Sequence, residues 1–131
     1  MAKTITTWIK AHEFEAEHEG NKIQLDGSTE NGHGPKALLL SALAGCSGID
    51  VVDILTKMKL EFSDFTIEVE ADQTEEHPKV FKDIHIVYKM KTAHKNEAKI
   101  KKAIELSLEK YCGVSAMLKK NSPIDYSLII K

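Results

Sequence analysis

The stretch GPKALLLSALAGCSGIDVVDILTKMKL, from Gly34 to Leu60, is the longest apolar run of the chain and carries Cys46 near its middle. Pro35 suits the first position of a helix, because its missing N–H has no partner there anyway, and Gly34 can serve as the cap. Apolar residues then fill nearly every position up to Asp50. A helix that is apolar all round is normally buried all round. The stretch therefore predicts a long buried helix around which the rest of the chain is organised.

Two glycines, Gly45 and Gly48, lie inside this predicted helix. Each costs about 1 kcal/mol relative to alanine, which suggests that another backbone packs closely against a flat surface of small residues. The run also approaches the length of a membrane span, which needs about 20 apolar residues. Asp50 and Asp53 fall inside that window, however, and the sequence holds no second span. We therefore expect a helix of a soluble protein, without membrane contact.

The composition is that of a single soluble globular domain that covers residues 1–131. Of the 131 residues, 42% are hydrophobic and 29% are charged. A net charge of -2 offers no basic surface for nucleic acid or anionic lipid. Residues 1–10 are polar and strand-like rather than a signal peptide, and two cysteines do not make a disulfide framework. The sequence therefore predicts a cytoplasmic protein.

Strands are predicted on both sides of the long helix. Alternating polar and apolar residues predict a three-stranded antiparallel meander before it, formed by residues 3–10, 13–18 and 22–26. After it, residues 65–71 and 80–90 predict a hairpin, residues 95–111 an amphipathic helix and residues 125–130 a last strand. This order of strands, helix, strands, helix and strand predicts an α+β fold.

Cys46 and Cys112 are the residues through which sulfur chemistry could act. A reactive cysteine needs a lowered pKa and access, whereas burial in an apolar helix raises the pKa, so Cys46 by itself suits a packing role. Cys112 follows the predicted helix in YCGVSAML, where its sulfur could be exposed. Together the two suit a peroxidatic cysteine with a resolving partner. The residues alone leave packing and redox roles open.

Other candidate sites have simpler interpretations. The six histidines show no ligand spacing with either cysteine, so we expect no metal site, and no cofactor motif is present. His33 precedes the long helix and is the histidine most suited to approach a site, although we interpret it as a solvated loop histidine in preference to a site residue. Asp50 and Asp53 either pair at the far end of the helix or shape a pocket. Lysines 99, 101 and 102 are interpreted as a solvated helix face.

The two cysteine segments, GPKALLLSALAGCSGIDVVDIL and YCGVSAML, resemble those of the OsmC/Ohr family, the osmotically inducible and organic-hydroperoxide-resistance proteins. The resemblance extends over the whole chain in element order and is greater to the uncharacterised OsmC-like branch. It implies an intertwined homodimer, with antiparallel sheets around long central helices that carry the cysteines. It also implies a thiol peroxidase, in which Cys46 becomes a sulfenic acid and Cys112 resolves it to a disulfide. An organic hydroperoxide would be the substrate and a dithiol, of the lipoyl type in the family, the reductant.

The chain departs from the family pattern at the ion pair that activates the attacking cysteine. Family peroxidases hold that cysteine as a thiolate with an arginine, but all 18 basic residues of this chain are lysines. They also carry a glutamate after the proline of the long helix, where this chain has Lys36. Retention of Cys46 and Cys112 favours a peroxidase. The missing ion pair favours a non-peroxidatic dimer that binds a small apolar or thiol-bearing ligand at the subunit interface, and inert thiols in a structural domain are a third hypothesis.

Overall fold

A computed structural model describes residues 1–131, which divide into two compact units, Met1–Leu40 and Ser41–Lys131. The first unit contains an antiparallel sheet of three strands, β1 (Ile5–Lys10), β2 (Glu13–His18) and β3 (Asn21–Asp26). Phe14 pairs with Leu25 and Ala16 with Ile23, which confirms the predicted meander and its apolar face. Phe14 and Ile23 remain 37% and 47% exposed, so this apolar face of the meander is not fully buried in the isolated chain.

The long helix α1 (Pro35–Lys57) begins at the predicted proline. Its buried residues follow one another at intervals of four and form a single stripe: Leu43, Ser47, Val51 and Leu55. The prediction that the helix is buried all round is wrong for the isolated chain, because Ile49 is 65% exposed and Leu39 and Val52 are exposed as well. By length and composition α1 could cross a membrane, a property it shares with the core helices of soluble proteins.

The second unit contains a mixed sheet of β4 (Ser63–Gln73), β5 (Phe81–Lys91) and β6 (Ile124–Ile130). Strands β4 and β5 form the predicted antiparallel hairpin. Ile84, Ile86 and Tyr88 share the buried face of β5, as their alternation predicted. Strand β6 pairs with β5 in parallel, which requires the chain to cross over between them.

Four helical segments make that crossover. A short 3₁₀ turn (His94–Asn96) leads into α2 (Glu97–Leu106), which ends in a wider π turn (Ser107–Tyr111). Together they cover the single helix predicted over residues 95–111. A third helix, α3 (Gly113–Lys119), follows after Cys112 and was not predicted. The core lies between α1, the buried face of β5 and the inner residues of α2. The α+β class is confirmed.

Candidate functional site

The main chain of Cys112 is held by the π turn. Its N–H donates to the carbonyl oxygen of Ser107, five residues earlier, over 2.7 Å. A regular helix would have directed that N–H to Leu108, so the wider turn leaves the Leu108 carbonyl without its usual partner. Ser115 Oγ and Lys119 Nζ approach this oxygen instead, at 3.2 and 2.5 Å. The turn is therefore supported by α3, the helix that Cys112 itself begins.

The Cys112 side chain caps α3. Its Sγ accepts a hydrogen bond from the main-chain N–H of Ser115 over 3.3 Å, and Ser115 Oγ lies 2.9 Å from the Cys112 carbonyl oxygen. The thiol is only 3% exposed. The prediction that Cys112 exposes its sulfur at a helix end is therefore wrong, because α3 packs over a segment that looked like an open turn.

Cys46 lies on α1 one residue before the buried Ser47, and it is partly exposed. The helix is covered only along the stripe that contains Ser47, so the adjacent position of Cys46 retains access to solvent. We expected Cys46 to be buried in an apolar helix and Cys112 to be accessible. The structure shows the reverse, because Cys112 is buried and Cys46 is partly exposed.

The Cys112 thiol, although distant from Cys46 in sequence, lies close enough to the Cys46 side chain for the two groups to interact. Burial raises the pKa of the Cys112 thiol, and the neighbouring Cys46 side chain raises it further. Both effects favour the neutral thiol, so Cys112 keeps its proton. The N–H of Ser115 acts in the opposite direction and lowers the Cys112 pKa. The arrangement is a protonated, buried thiol against an accessible one, with both cysteines free.

A chain of buried polar groups runs behind the cysteine pair. Ser47 Oγ lies 2.6 Å from Tyr88 Oη, and Ser107 Oγ lies 2.9 Å from Ser47 Oγ. Ser107 Oγ also lies 2.9 Å from Asp50 Oδ2. Asp50, one turn after Cys46 on α1, therefore accepts a hydrogen bond from the Ser107 hydroxyl at one end of this series of polar groups. The bonds link α1, β5 and the π turn through side chains alone.

The environment of Tyr88 shows how closely this polar chain approaches the thiols. Burial raises the pKa of Tyr88 to about 12, although the hydrogen bond with Ser47 lowers it. The negative charges that Cys112 and Asp50 carry when ionised raise it as well. Tyr88 therefore remains a protonated donor at neutral pH. One signal in the sequence points to this series of polar groups, which is that Ser47 and Ser107 occupy apolar helix faces.

An apolar groove of about 520 Å³ lies beside the buried stripe of α1, within the second unit. Its walls come from small and apolar residues of α1 and β4, namely Ala44, Gly45, Gly48, Ile49, Val52, Asp53, Phe65 and Ile67. A Cβ atom added at Gly45 would meet nothing within 4 Å, whereas one at Gly48 would meet Ile67 Cδ1 at 3.0 Å. The flat surface predicted from the glycines is therefore closed at Gly48 and open at Gly45. Leu43, on the buried stripe of α1, is fully buried and does not line the groove.

The remaining sequence candidates have surroundings of their own. The main chain of His33 accepts from Asp26 N over 3.0 Å within the first unit. Asp53 lines the apolar groove, and Lys99 lines a separate polar cleft.

Strands β5 and β6 carry one arrangement that sequence reasoning missed. His85 lies 2.6 Å from Asp125 and 3.1 Å from Ser127, the order of groups in a hydrolase triad. A working triad keeps its carboxylate buried and provides donors for an oxyanion. The Asp125 side chain is 80% exposed, so we interpret the three residues as a cross-strand surface cluster.

Comparisons with known proteins identify relatives along most of the chain. Residues 26–127 match the family model described as OsmC-like protein. The chain is 33% identical over 122 residues to Protein YhfA of Escherichia coli K12, a match that covers 92% of this chain and 91% of that protein.

Solved structures share the fold. A hypothetical protein from Aquifex aeolicus VF5 superimposes with a TM-score of 0.84 and 30% identity, over 100% of this chain and 98% of that one. The organic hydroperoxide resistance protein OhrB of Bacillus subtilis gives a TM-score of 0.67 at 15% identity, over 98% and 97% of the two chains. At that identity the likeness to OhrB shows the fold alone.

Proposed function

This chain belongs to the family of OsmC-like proteins, and from that premise we propose that it is a thiol peroxidase that reduces organic hydroperoxides through Cys46 and Cys112. The observation that carries the proposal is that Cys46 and Cys112, which are distant in sequence, come close enough in the fold to interact. Two sulfurs that meet in this way are a candidate pair for a disulfide. Solved relatives of the same fold are named as organic hydroperoxide resistance proteins, which supports the choice of substrate class.

The reaction has two steps within the protein. Cys46, as a thiolate, attacks an oxygen of the hydroperoxide; the O–O bond breaks, Cys46 becomes a sulfenic acid, and the departing alkoxide takes a proton to leave as an alcohol. The Cys112 sulfur then attacks the Cys46 sulfur, so that an S–S bond forms, the S–O bond breaks and water leaves with the Cys112 proton. A dithiol reductant of the lipoyl type reopens the disulfide by exchange and is itself oxidised.

The two environments suit two different roles. Partial exposure lets a peroxide reach Cys46, whereas Cys112 is buried and its raised pKa keeps it protonated. Only a thiolate attacks a peroxide, so Cys112 is protected from oxidation until Cys46 has reacted. Exposed Ile49 and Leu39 on the same helix offer apolar contact to the organic part of a hydroperoxide.

We place this activity in a cytoplasmic homodimer whose subunits meet along α1. Support comes from the apolar groove and from Gly45, which is open enough for the backbone of a second helix to approach closely. Exposed Ile49 and Val52 would be covered in such an assembly. Large exposed apolar patches are uncommon on monomers and often mark interfaces.

One observation favours a second function. The chain contains no arginine, so the ion pair expected from the family resemblance cannot form in any assembly of this protein with itself. A cation within about 4–6 Å lowers the pKa of a thiol by about 1–3 units, and its loss slows the first step. The alternative is a dimer that binds a small apolar or thiol-bearing molecule at the same interface without turnover.

Peroxide treatment followed by mass spectrometry separates the two functions. We expect cumene hydroperoxide to produce a Cys46–Cys112 disulfide within one subunit, and Cys46→Ser to abolish peroxide consumption. Cys112→Ser should stop the reaction at a sulfenic acid on Cys46, which dimedone traps. Ser122→Ala is the matched control, because Ser122 is equally buried but donates to the Phe81 carbonyl, away from both thiols.

The outcome that rejects the peroxidase is specific. If both thiols stay reduced at millimolar hydroperoxide, and Cys46 alkylates with the pH dependence of a free cysteine, whose pKa is about 8.5, the binding function replaces it. If neither thiol alkylates in the native state, the cysteines serve packing alone.

A further inference from the structure

Ser107 contacts the segments that carry both cysteines, and we propose that it is a positioning residue that sets the distance between the Cys46 and Cys112 sulfurs. It is fully buried at the first position of the π turn. Its hydroxyl reaches α1, whereas its carbonyl reaches Cys112. The two chemical steps of the proposed reaction do not themselves use a serine at this position.

The hydroxyl of Ser107 fixes the π turn to the part of α1 that carries Cys46. Its Oγ lies 2.9 Å from both Ser47 Oγ and Asp50 Oδ2, and 3.5 Å from the Ser47 carbonyl oxygen. Ser47 is the covalent neighbour of Cys46, so movement of the Ser107 hydroxyl is transmitted to that turn of α1. Ser47 is itself held from the other side by Tyr88 Oη at 2.6 Å.

The carbonyl of Ser107 fixes Cys112. It accepts the Cys112 N–H over 2.7 Å, a short main-chain bond, and Cys112 then turns into an extended conformation with φ -78 and ψ 103. The Leu108 carbonyl, which would hold Cys112 in a regular helix, is approached by Ser115 and Lys119 instead. The position of the Cys112 main chain thus depends on the residue that carries the anchoring hydroxyl.

These contacts form a connected path between the two cysteines. It runs from Cys46 to Ser47 through the chain, and from Ser47 to Ser107 and Cys112 through hydrogen bonds. Removal of the Ser107 hydroxyl breaks this path while both cysteines and the apolar core remain. The effective concentration of one thiol at the other depends on such orientation, so disulfide formation should weaken when the path is broken.

This inference rests on the proposed function only for its place in turnover, because the thiol pair can be oxidised without peroxide. The experiment equilibrates the purified protein anaerobically in mixtures of oxidised and reduced dithiothreitol and measures the fraction of Cys46–Cys112 disulfide by mass spectrometry. We expect Ser107→Ala to lower the equilibrium constant for disulfide formation about ten-fold, the scale of one lost hydrogen bond to a charged group. Ser107→Thr retains the hydroxyl and should restore the constant to within about two-fold.

Controls separate positioning from general damage to the fold. Ser122→Ala removes an equally buried hydroxyl, which bonds to the Phe81 carbonyl, and should leave the constant unchanged. In urea, where no structure orients the thiols, wild type and Ser107→Ala should give the same value. If Ser107→Ala does not fold, Asp50→Ala replaces it as the test variant. This substitution, at a partly exposed position, removes the carboxylate that the Ser107 hydroxyl contacts, and it should also lower the equilibrium constant.

Equal constants for folded wild type and Ser107→Ala would overturn the positioning role, as would an equal fall in Ser122→Ala. Failure of the proposed peroxidase function would give a different result from failure of the positioning role. A wild type that forms the disulfide in dithiothreitol buffer but does not consume hydroperoxide rejects the peroxidase and leaves the role of Ser107 intact. If the peroxidase is present, Ser107→Ala should form dimedone-trapped Cys46 at the normal rate and close the disulfide more slowly.

Discussion

Replacing Gly45 with alanine tests whether the open face of α1 is covered by a second subunit. A Cβ atom at this position meets no heavy atom within 4 Å in the isolated chain. In a monomer the substitution therefore adds no clash and removes the cost of glycine in a helix interior, about 1 kcal/mol. For a chain of 131 residues, that gain raises the melting temperature by about 4 °C.

The proposed dimer reverses the sign of this effect. If the backbone of a second helix lies against Gly45, the new methyl group occupies the space of the approaching chain, and overpacking of this kind costs about 1–3 kcal/mol. We expect Gly45→Ala to weaken dimerisation by about ten-fold or more and to lower the melting temperature, with a larger fall on dilution. Sedimentation velocity over a dilution series and calorimetry at two concentrations measure the two quantities.

Gly48→Ala is the control within the same helix. Its Cβ would lie 3.0 Å from Ile67 Cδ1, a contact inside one chain, so its effect should not depend on protein concentration beyond that of wild type. A rise of about 4 °C in Gly45→Ala, with unchanged sedimentation, would show that this face of α1 is free. That result would refute the proposed interface.

Three further predictions concern buried polar groups outside the thiol pair. Burial raises the pKa of Tyr88 from 10.0 to about 12. The protonated phenol therefore contributes about 3 kcal/mol to the free energy of unfolding below pH 10, and this contribution is lost as the pH rises to 12. Urea unfolding at pH 8 and 11 should show about half of this fall in wild type, because pH 11 lies midway between the two pKa values, and a smaller fall in Tyr88→Phe. Main-chain N–H groups of Ser28 and Asn31 lower the pKa of Asp26, so its contribution is present above pH 3.8 and lost as the pH falls further. The fluorescence of Trp8, the single tryptophan, should report an acid transition that Asp26→Asn removes. Ser115→Ala should cost about 1 kcal/mol and speed hydrogen exchange at the start of α3, because Leu108 then has only Lys119 near its carbonyl.

Periodicity was sufficient for most elements of the fold. The alternation in residues 80–90 identified the buried face of β5, since each inward residue of a strand packs on the same side. The proline at position 35 marked the start of α1 for a reason local to the chain. The parallel pairing of β6 depends on a crossover through four helical segments, which no local pattern encodes.

The candidate site was predicted only in part, because its properties arise from tertiary contacts. At the end of the π turn, the N–H of Cys112 bonds to the carbonyl of Ser107, whereas in a regular helix it would bond to that of Leu108, one residue later. That choice depends on α1, Ser115 and Lys119 rather than on residues 107–111 themselves. The exposures of Cys46 and Cys112 were reversed for the same reason, since neither local composition reports which elements pack over a sulfur.

The lack of arginine makes the neighbour of Cys46 more important, because some group must favour the form of the sulfur that attacks. Cys112 is a neutral thiol near Cys46 and supplies no positive charge of the kind that a guanidinium would. A cation near a thiol favours the thiolate, and the chain has no arginine to supply one. The second step needs no cation, because Ser107 and the π turn, as we propose, position Cys112 relative to Cys46. If the chain is a peroxidase, attack on the peroxide should therefore limit its rate, and disulfide closure should not.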